Sequence, residues 1–427
     1  MEDRMKLSIA PSGRHFVTAN GKPFFWLADT AWNAALRADT DDWRRYLETR
    51  QRQGFTVIQF VSTPWRGCRN PLHGPLFEET GSGVEFPEQA WTKMEEWLQM
   101  IVDRGMVPAP VMIWDNNPDE PFFKFKTDTC IEAGRRMLQR WQERYHPLWI
   151  LGGDGDYRSR AQDEKWKTIG RAVFSDYPDA LATMHPCGAS WVGDNFADEP
   201  WYSFVGIQSG HGNSRYDLNF LLNGPYSRRW STIEKPFVNL ELNYEFSRSY
   251  QNHELRYSGF HVRRAFWWSL LGAPTAGATY GTDPIWIWPT TRYEAAEGHG
   301  GFWAAGHWST GLETEGIAHL EAMLEIIGKL PWTELLPADY LLVEQPGWDD
   351  PTQCWKAAAT SDYATVVTYL PAAKRVKLSG IQLQGEYTGT WFDPRTATEQ
   401  TAEIDTSTGR IETEPPTEDD WVLVLRR

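Results

Sequence analysis

Two acidic residues stand directly after short apolar runs. Leu148-Trp149-Ile150-Leu151 leads into Gly152-Gly153-Asp154, and Pro236-Phe237-Val238-Asn239-Leu240 leads into Glu241. The two glycines let the backbone turn tightly and leave room for a ligand beside Asp154. Taken alone, an Asp there serves equally well as a helix cap or an Asx turn. A Glu at the end of an apolar run is costly to bury unless it is paired or put to use. A salt-bridged structural Glu is the competing reading. Glu245 lies farther along, where a hydrogen-bonding or structural role suits it better than catalysis. The two acids are 87 residues apart, or three units of 29. A (β/α)8 barrel of ~250 residues has ~31 residues per strand–helix unit, so both acids fit the strand ends of one barrel. Two carboxylates facing each other across a barrel mouth can break a glycosidic bond. One protonates the departing oxygen; the other attacks the anomeric carbon or activates the water that does.

Other residues carry weaker signals. His185 and His211 end two further apolar runs, where each could bind a sugar hydroxyl, tune a carboxylate, or sit hydrogen-bonded in the core. Trp32, Trp65, Trp114, Trp191, Trp286 and Trp288 fall at strand ends or on loops, and one or two of them as sugar platforms is the expectation. Arg66, Arg69 and Arg158 lie on loops around the expected mouth. They could pair with a carboxylated sugar, but solvated loop charges are the commoner case. Asp154-Gly155-Asp156 also reads as the metal–diphosphate triplet of a nucleotide-sugar glycosyltransferase, a pattern that chance produces often. Asn252-His253-Glu254-Leu255-Arg256 lacks the second His of a zincin, and Asp115-Asn116-Asn117-Pro118-Asp119 lacks EF-hand spacing. No metal and no cofactor are expected.

The elements that must position these residues follow a repeating pattern. Eight apolar runs are Phe24–Ala28, Thr56–Val61, Val107–Ile113, Leu148–Leu151, Ala180–Met184, Phe204–Gln208, Pro236–Glu241 and Pro274–Tyr280. Each is short and bounded by Gly, Pro or charge, as buried parallel strands are. Amphipathic stretches separate many of them. Asp39 caps one whose inner face is Trp43, Tyr46 and Leu47 and whose stop is Gly54. Others run over Trp91–Val102, Ile131–Tyr145 and Ile317–Ile327. Alternation of this kind predicts an α/β fold, a (β/α)8 TIM barrel over residues 24–336. No Gly-x-Gly-x-x-Gly follows the first run, which speaks against a doubly wound sheet. The Pro- and Gly-rich interval from Val61 to Glu88 would lie over the active-site face. After Pro337 the texture changes to strands and turns: Tyr340–Glu344, Cys354–Ala359, Ala364–Tyr369, Glu386–Phe392 and Trp421–Leu425. Residues 337–427 are therefore expected to form a small β-sandwich, and residues 1–23 a β-hairpin that caps the barrel or joins the C-terminal sheet.

Composition narrows the partners. The chain has 427 residues and a formal charge of −15, which disfavours nucleic acid and anionic membrane surfaces. It has no apolar run of membrane-spanning length. No secretory signal is read in the first residues, so a cytoplasmic enzyme is expected. Four widely spaced cysteines fit free thiols. Trp, Phe and Tyr make up 14% of the residues. That raises the odds of a carbohydrate partner, since an indole face suits the C–H face of a sugar ring, although a large core also absorbs aromatics.

The chain resembles the apiosidase-like glycoside hydrolases (family 140 and its relatives) over nearly its whole length. The matching blocks are Phe25-Trp26-Leu27-Ala28-Asp29-Thr30-Ala31-Trp32, Gly54-Phe55-Thr56-Val57-Ile58-Gln59, Trp149–Asp154, His185-Pro186, Ile207-Gln208-Ser209-Gly210-His211 and Tyr280-Gly281. The tail resembles the small β domain that often follows such barrels, most clearly at Trp391-Phe392-Asp393-Pro394-Arg395. The resemblance implies Asp154 as acid/base and Glu241 as nucleophile, with supporting roles for Asp29, Trp32, Gln208, His211 and Glu245. Where the family reads Gly-Glu-Pro-x-Tyr-Glu, this chain has Leu240-Glu241-Leu242-Asn243-Tyr244-Glu245. Both acids and the Tyr stay while the Gly and Pro are lost, so apiose does not follow as the sugar. With the strand-end residues, the candidate substrate-binding set is Asp29, Trp32, Gln59, Trp65, Trp114, His185, Gln208, His211, Tyr244, Glu245 and Tyr280. The expected activity is retaining hydrolysis of a plant cell-wall-derived oligo- or polysaccharide. A barrel that only binds carbohydrate and a nucleotide-sugar transferase are the alternatives. The C-terminal domain is expected to brace the barrel, and the oligomeric state is left open.

Overall fold

The computed structural model describes residues 6–80, 83–114, 118, 120, 123, 125–155, 159–291, 293–299 and 303–427. Arg158, Asp156 and most of the 115–119 turn lie outside these residues. Each of the eight apolar runs becomes a strand of one parallel sheet: β1 Trp26–Thr30, β2 Val57–Val61, β3 Val107–Trp114, β4 Trp149–Gly155, β5 Ala182–Pro186, β6 Val205–Gln208, β7 Phe237–Glu241 and β8 Thr275–Tyr280. Their order is β5-β4-β3-β2-β1-β8-β7-β6. The ring closes between β5 and β6 through a side chain. Thr183 Oγ1 donates to the Phe204 carbonyl at 2.7 Å and accepts the Gly206 N–H at 2.9 Å. Gly206 has to be glycine, because a Cβ there would stand 2.7 Å from the Met184 carbonyl oxygen. The strands are buried almost throughout, as parallel strands covered by helices are. The result is the TIM-like barrel expected from the sequence.

The helices follow the sequence signals. α1 spans Thr40–Arg52, with the Asp39 carboxylate accepting the Asp41 and Asp42 N–H groups. α2 spans Glu88–Val102 and buries Trp91, Met94, Trp97, Leu98 and Ile101. α3 spans Thr127–Tyr145 and ends on His146 in the left-handed region. α4 is Arg160–Phe174, α5 Arg215–Asn223, α6 Gly259–Gly272 and α7 Glu315–Gly328. Among the described residues no helix is long and apolar enough to cross a membrane. None of the four cysteines is joined in a disulfide.

Two compact units emerge. The first comprises residues 1–210, 233–247 and 276–313; the second comprises 211–232, 248–275 and 314–427. The first holds β1–β7 and nearly all of β8. At its amino end, Leu7–Ile9, Phe16–Thr18 and Pro23–Phe24 form a three-stranded antiparallel sheet of their own, not a hairpin added to the C-terminal sheet. Phe16 packs edge-on against Phe204 at 5.3 Å and lies 6.3 Å from Trp26, so this sheet covers the amino-terminal ends of the barrel strands.

The second unit joins α5, α6 and α7 to the C-terminal domain. That domain is an antiparallel sheet of Leu336–Pro337 (β9), Lys356–Ala359 (β10), Thr365–Leu370 (β11), Thr388–Phe392 (β13), Glu399–Ala402 (β14) and Trp421–Arg426 (β16), in the order β9-β10-β11-β16-β13-β14. A ribbon of Val376–Leu378 (β12) and Ile411–Thr413 (β15) pairs beside it. Val376, Leu378 and Ile411 share one core with Trp355, Val366, Trp391, Leu423 and Leu425. The run Tyr340–Glu344, expected as a strand, is not one. Residues Asp339–Leu341 form a 3-10 turn instead, because the Asp339 carboxylate is drawn to the Ala357 N–H at 2.8 Å and the Lys356 ammonium at 2.5 Å.

Candidate active site

Strand β4 ends in three successive residues of positive φ: Gly152 at 91°, Gly153 at 79° and Asp154 at 46°. A Cβ on Gly153 would lie 2.3 Å from the Trp114 ring, so only glycine allows that indole its seat. Asp154 is held in the left-handed region that side chains avoid. Its N–H donates to His185 Nδ1 at 3.3 Å, and its Oδ2 accepts from Arg66 Nη2 at 3.1 Å. Arg66 is itself anchored. Its backbone N–H donates to Glu120 at 2.7 Å and its Nε lies 3.3 Å from that fully buried carboxylate. The reading of Arg66 as a solvated loop charge is therefore corrected: its side chain is 19% exposed and sits between two acids.

Glu241 ends β7 beside an irregularity in the β6–β7 register, where Gln208 comes opposite it. Its side chain is 6% exposed. His185, at the end of β5 and fully buried, lies between the two acids. Its Nδ1 is 3.8 Å from Asp154 Oδ1, and its Nε2 is 3.5 Å from Glu241 Oε2. Because Nδ1 accepts the Asp154 N–H, the hydrogen-bond pattern assigns the proton of the neutral ring to Nε2, which faces Glu241. One donor atom from each of Asp154, His185 and Glu241 lies within 4.8 Å of the others. Such a trio could gather a cation. However, a metal takes one ring nitrogen, and here the two nitrogens face different acids.

An aromatic wall fixes the imidazole. Trp32 stands edge-on to His185 and to Trp114, both at 5.3 Å, and Trp114 lies 5.6 Å from His185. Trp65 packs on Trp114 at 4.5 Å, and its indole N–H donates to Asn33 Oδ1 at 2.7 Å. Asn33, which the sequence reading passed over, also donates to the Gly67 and Ile287 carbonyls and so ties three loops together. Trp32, Trp65 and Trp114 are buried, and they support His185 instead of standing open as platforms. Tyr244 faces Glu241 and Thr30. Burial, then the Glu241 charge, pushes its phenol well above the usual range, so it stays protonated and able to donate. Its ring lies against Gly281, where a Cβ would come within 2.1 Å.

Several expected substrate contacts are bonded to protein partners. Asp29 is fully buried, its Oδ2 taken by Arg50 Nε at 2.6 Å and the Tyr46 hydroxyl at 2.8 Å. Arg50 further donates to the Gly311 and Leu312 carbonyls and lies over the Tyr46, Phe55 and Tyr280 rings. The Tyr280 hydroxyl donates to Glu245 Oε2 at 2.7 Å, and both residues are buried. Gln59 reaches across the barrel interior to the Leu240 carbonyl at 3.0 Å. His211 belongs to the second compact unit, where its carbonyl accepts from the Tyr257 hydroxyl at 2.7 Å. The side chains of Asp29, Gln59, Tyr280 and Glu245 thus each have a protein partner, whereas the His211 bond is made by its backbone. His185, Trp32, Trp114, Tyr244 and Gln208 gather around the acids, with Trp65 behind. Of the remaining tryptophans, Trp288 stacks on Trp308 at 4.3 Å, Trp191 packs on Phe237 and Trp286 donates to Asp283.

Comparison with known proteins bears on the family and the fold. The family model described as "Apiosidase-like, catalytic domain" matches residues 10–334. The model described as "Putative collagen-binding domain of a collagenase" matches residues 336–426. No curated protein matches the chain. A solved structure titled as a glycoside hydrolase aligns with a TM-score of 0.82 at 21% identity, covering 99% of this chain and 97% of its own. A glycoside hydrolase family 5 protein from Bacteroides vulgatus aligns at 0.83 and 20% identity, covering 99% and 93%. A family 5 mannosidase from Rhizomucor miehei aligns at 0.54 and 12% identity, covering 77% and 100%. At these identities the likeness is one of fold.

Proposed function

The chain belongs to the apiosidase-like family, and from that premise we propose that it is a retaining glycoside hydrolase acting on a plant cell-wall-derived oligo- or polysaccharide. The observation that carries the proposal is the short separation of the two acids, whose nearest oxygens lie within 4.8 Å. Retaining enzymes hold their carboxyl groups about 5–5.5 Å apart, and inverting ones leave about 6.5–9.5 Å for a water. In the first step Glu241 attacks the anomeric carbon while Asp154 gives its proton to the departing oxygen. In the second, Asp154 takes a proton from water, and the water oxygen displaces Glu241 and restores both acids. Tyr244 and His185 Nε2–H face Glu241 and hold it for attack. Among the described residues the buried Gln208 Oε1 and Trp114 Nε1 have no protein partner, as groups awaiting sugar hydroxyls would be. The C-terminal domain carries a collagen-binding description; its buried contacts with α5 and α6 support a bracing role instead.

The test is product release from a panel of aryl glycosides, furanosides included, and pectin-derived oligosaccharides. Glu241→Gln and Asp154→Asn should each lower turnover of the responding substrate by about 10²–10⁴-fold or more, with the melting temperature kept. The released sugar should keep its anomeric configuration. Near-wild-type rates in either variant would remove the assignment, and an inverted product would move Glu241 from nucleophile to base.

A further inference from the structure

We propose that Tyr216, Tyr250 and Trp348 form a second carbohydrate-binding surface, carried on the second compact unit and suited to a neutral, extended chain of pyranose sugars. The choice of ligand rests on the glycoside hydrolase reading. The surface itself rests on exposure and rigidity. Trp348 is 74% exposed, Tyr216 76% and Tyr250 51%. Among the described residues Trp348 is the one exposed tryptophan. Single exposed apolar residues are ordinary, whereas aromatics grouped on tied segments call for a partner.

The three segments are bonded to one another. The Arg215 guanidinium, one residue before Tyr216, donates to the Trp348 carbonyl at 3.1 Å and to the Asp349 carbonyl at 2.6 Å. Gln251, one residue after Tyr250, accepts the Asn213 N–H at 2.9 Å and donates to Asp217 at 2.7 Å. The Trp348 turn is stiff. Pro346 opens it, and the Gln345 side chain accepts the Gly347 and Trp355 N–H groups while donating to the Trp355 carbonyl. Gly347 presses so closely on Cys354 that a Cβ would come within 2.6 Å. An exposed indole on a rigid turn loses little entropy when a sugar stacks on it.

Charge selects the class of glycan. Arg215 is committed to two carbonyls, while Asp349 is exposed beside Trp348. A uronic acid polymer would meet that carboxylate and a chain of net charge −15. A neutral polymer would instead find acceptors for its hydroxyls. Such a surface would raise the local concentration of substrate without touching the chemistry.

The experiment is affinity electrophoresis of the full chain, carried as Glu241→Gln so that the polymer survives, in gels containing cellulose derivatives, β-mannan, xylan or polygalacturonate. At least one neutral polymer should retard the protein and polygalacturonate should not. Adding Trp348→Ala or Tyr216→Ala should weaken retardation about 2- to 10-fold, whereas Tyr340→Ala, another exposed aromatic change, should not. With the native Glu241, both variants should turn over a small glycoside at the unmodified rate. Retardation unchanged in the variants, or absent with every neutral polymer, would overturn the surface. Light scattering that shows a dimer dissolved by Trp348→Ala would also overturn it, in favour of a second copy of the chain. Loss of binding without any hydrolysis by the native protein would leave the surface standing and remove the hydrolase reading.

Discussion

His185 has no exposed surface, and its ring lies between the two acids. Nδ1 accepts from the Asp154 backbone, so Nε2–H is directed at Glu241. Shortened to a hydrogen bond during the reaction, that 3.5 Å approach to Glu241 would contribute about 1.5–3 kcal/mol. His185→Ala should therefore lower kcat about 10- to 100-fold with a small change in KM, and steady-state kinetics on the responding glycoside would read it. A change in KM alone would make His185 a sugar contact. Arg66 offers a second test. Its guanidinium stabilises the ionised form of Asp154, while the first step needs Asp154 protonated. Removing the cation in Arg66→Gln should move the alkaline limb of the kcat/KM profile to higher pH. An unmoved limb would mean that the pair does not persist in solution. That Asp154, Glu241 and His185 come together was legible in the sequence, because each ends an apolar run. Asp29, Tyr280 and Glu245 were read as candidate substrate contacts, and their protein partners were not legible, because a buried carboxylate serving Arg50 or Tyr280 looks the same in sequence as one serving a ligand. The partner that settles the matter for Asp29 is 21 residues away.

Glycines show how elements set the site. Gly153 combines positive φ with a 2.3 Å approach to Trp114. Gly153→Ala would force either the strand end or the indole to move. Left-handed strain and overpacking together should cost about 2–4 kcal/mol, read by denaturant unfolding, and activity should fall with it. Gly328, the last residue of α7, has nothing within 4 Å of where its Cβ would be and no positive φ. Gly328→Ala should stabilise by about 0.4–1 kcal/mol. If both changes gave the same loss, the Trp114 contact would not be the cause of the first. The eight barrel strands were legible because two-sided burial writes a continuous apolar run. The C-terminal ribbon was not, since β12 and β15 are three residues each and too short for a period to register. The Tyr340 run misled because Leu341-Leu342-Val343 is a short apolar run like those of true strands, but Asp339 pins it by hydrogen bonds that no local pattern announces.

At the scale of the molecule, the change of texture near residue 337 was legible, but the reach of the C-terminal domain was not. Arg263 on α6 makes two hydrogen bonds to buried Asp420, at 2.7 and 2.6 Å, and Tyr369 donates to the same carboxylate. Trp268 donates to the Cys354 carbonyl, and Lys356 to the Leu222 carbonyl at the end of α5. The tail is thus part of the core beneath α5 and α6, so a chain ended at residue 335 should be insoluble or molten by near-ultraviolet dichroism. Asp420→Asn should cost about 3–5 kcal/mol, because it leaves a buried Arg263 charge without its partner. This seam also predicts an acid limit. Burial, reinforced by Arg264 and Arg263, pushes His261 down to about 4, and burial with Arg263 lowers His319, whose Nδ1 accepts from Arg263 at 3.0 Å. Both rings are held neutral when folded but take up a proton near pH 6.5 when unfolded. The unfolded state therefore binds more protons between about pH 6.5 and 4, and stability must fall as the pH drops through that window. The loss should be on the order of 2 kcal/mol for His261 alone. Denaturant midpoints measured at pH 7 and pH 5 on the native chain and on His261→Gln would read it, and the variant should lose less on acidification. An equal loss in both would place the acid sensitivity outside this seam.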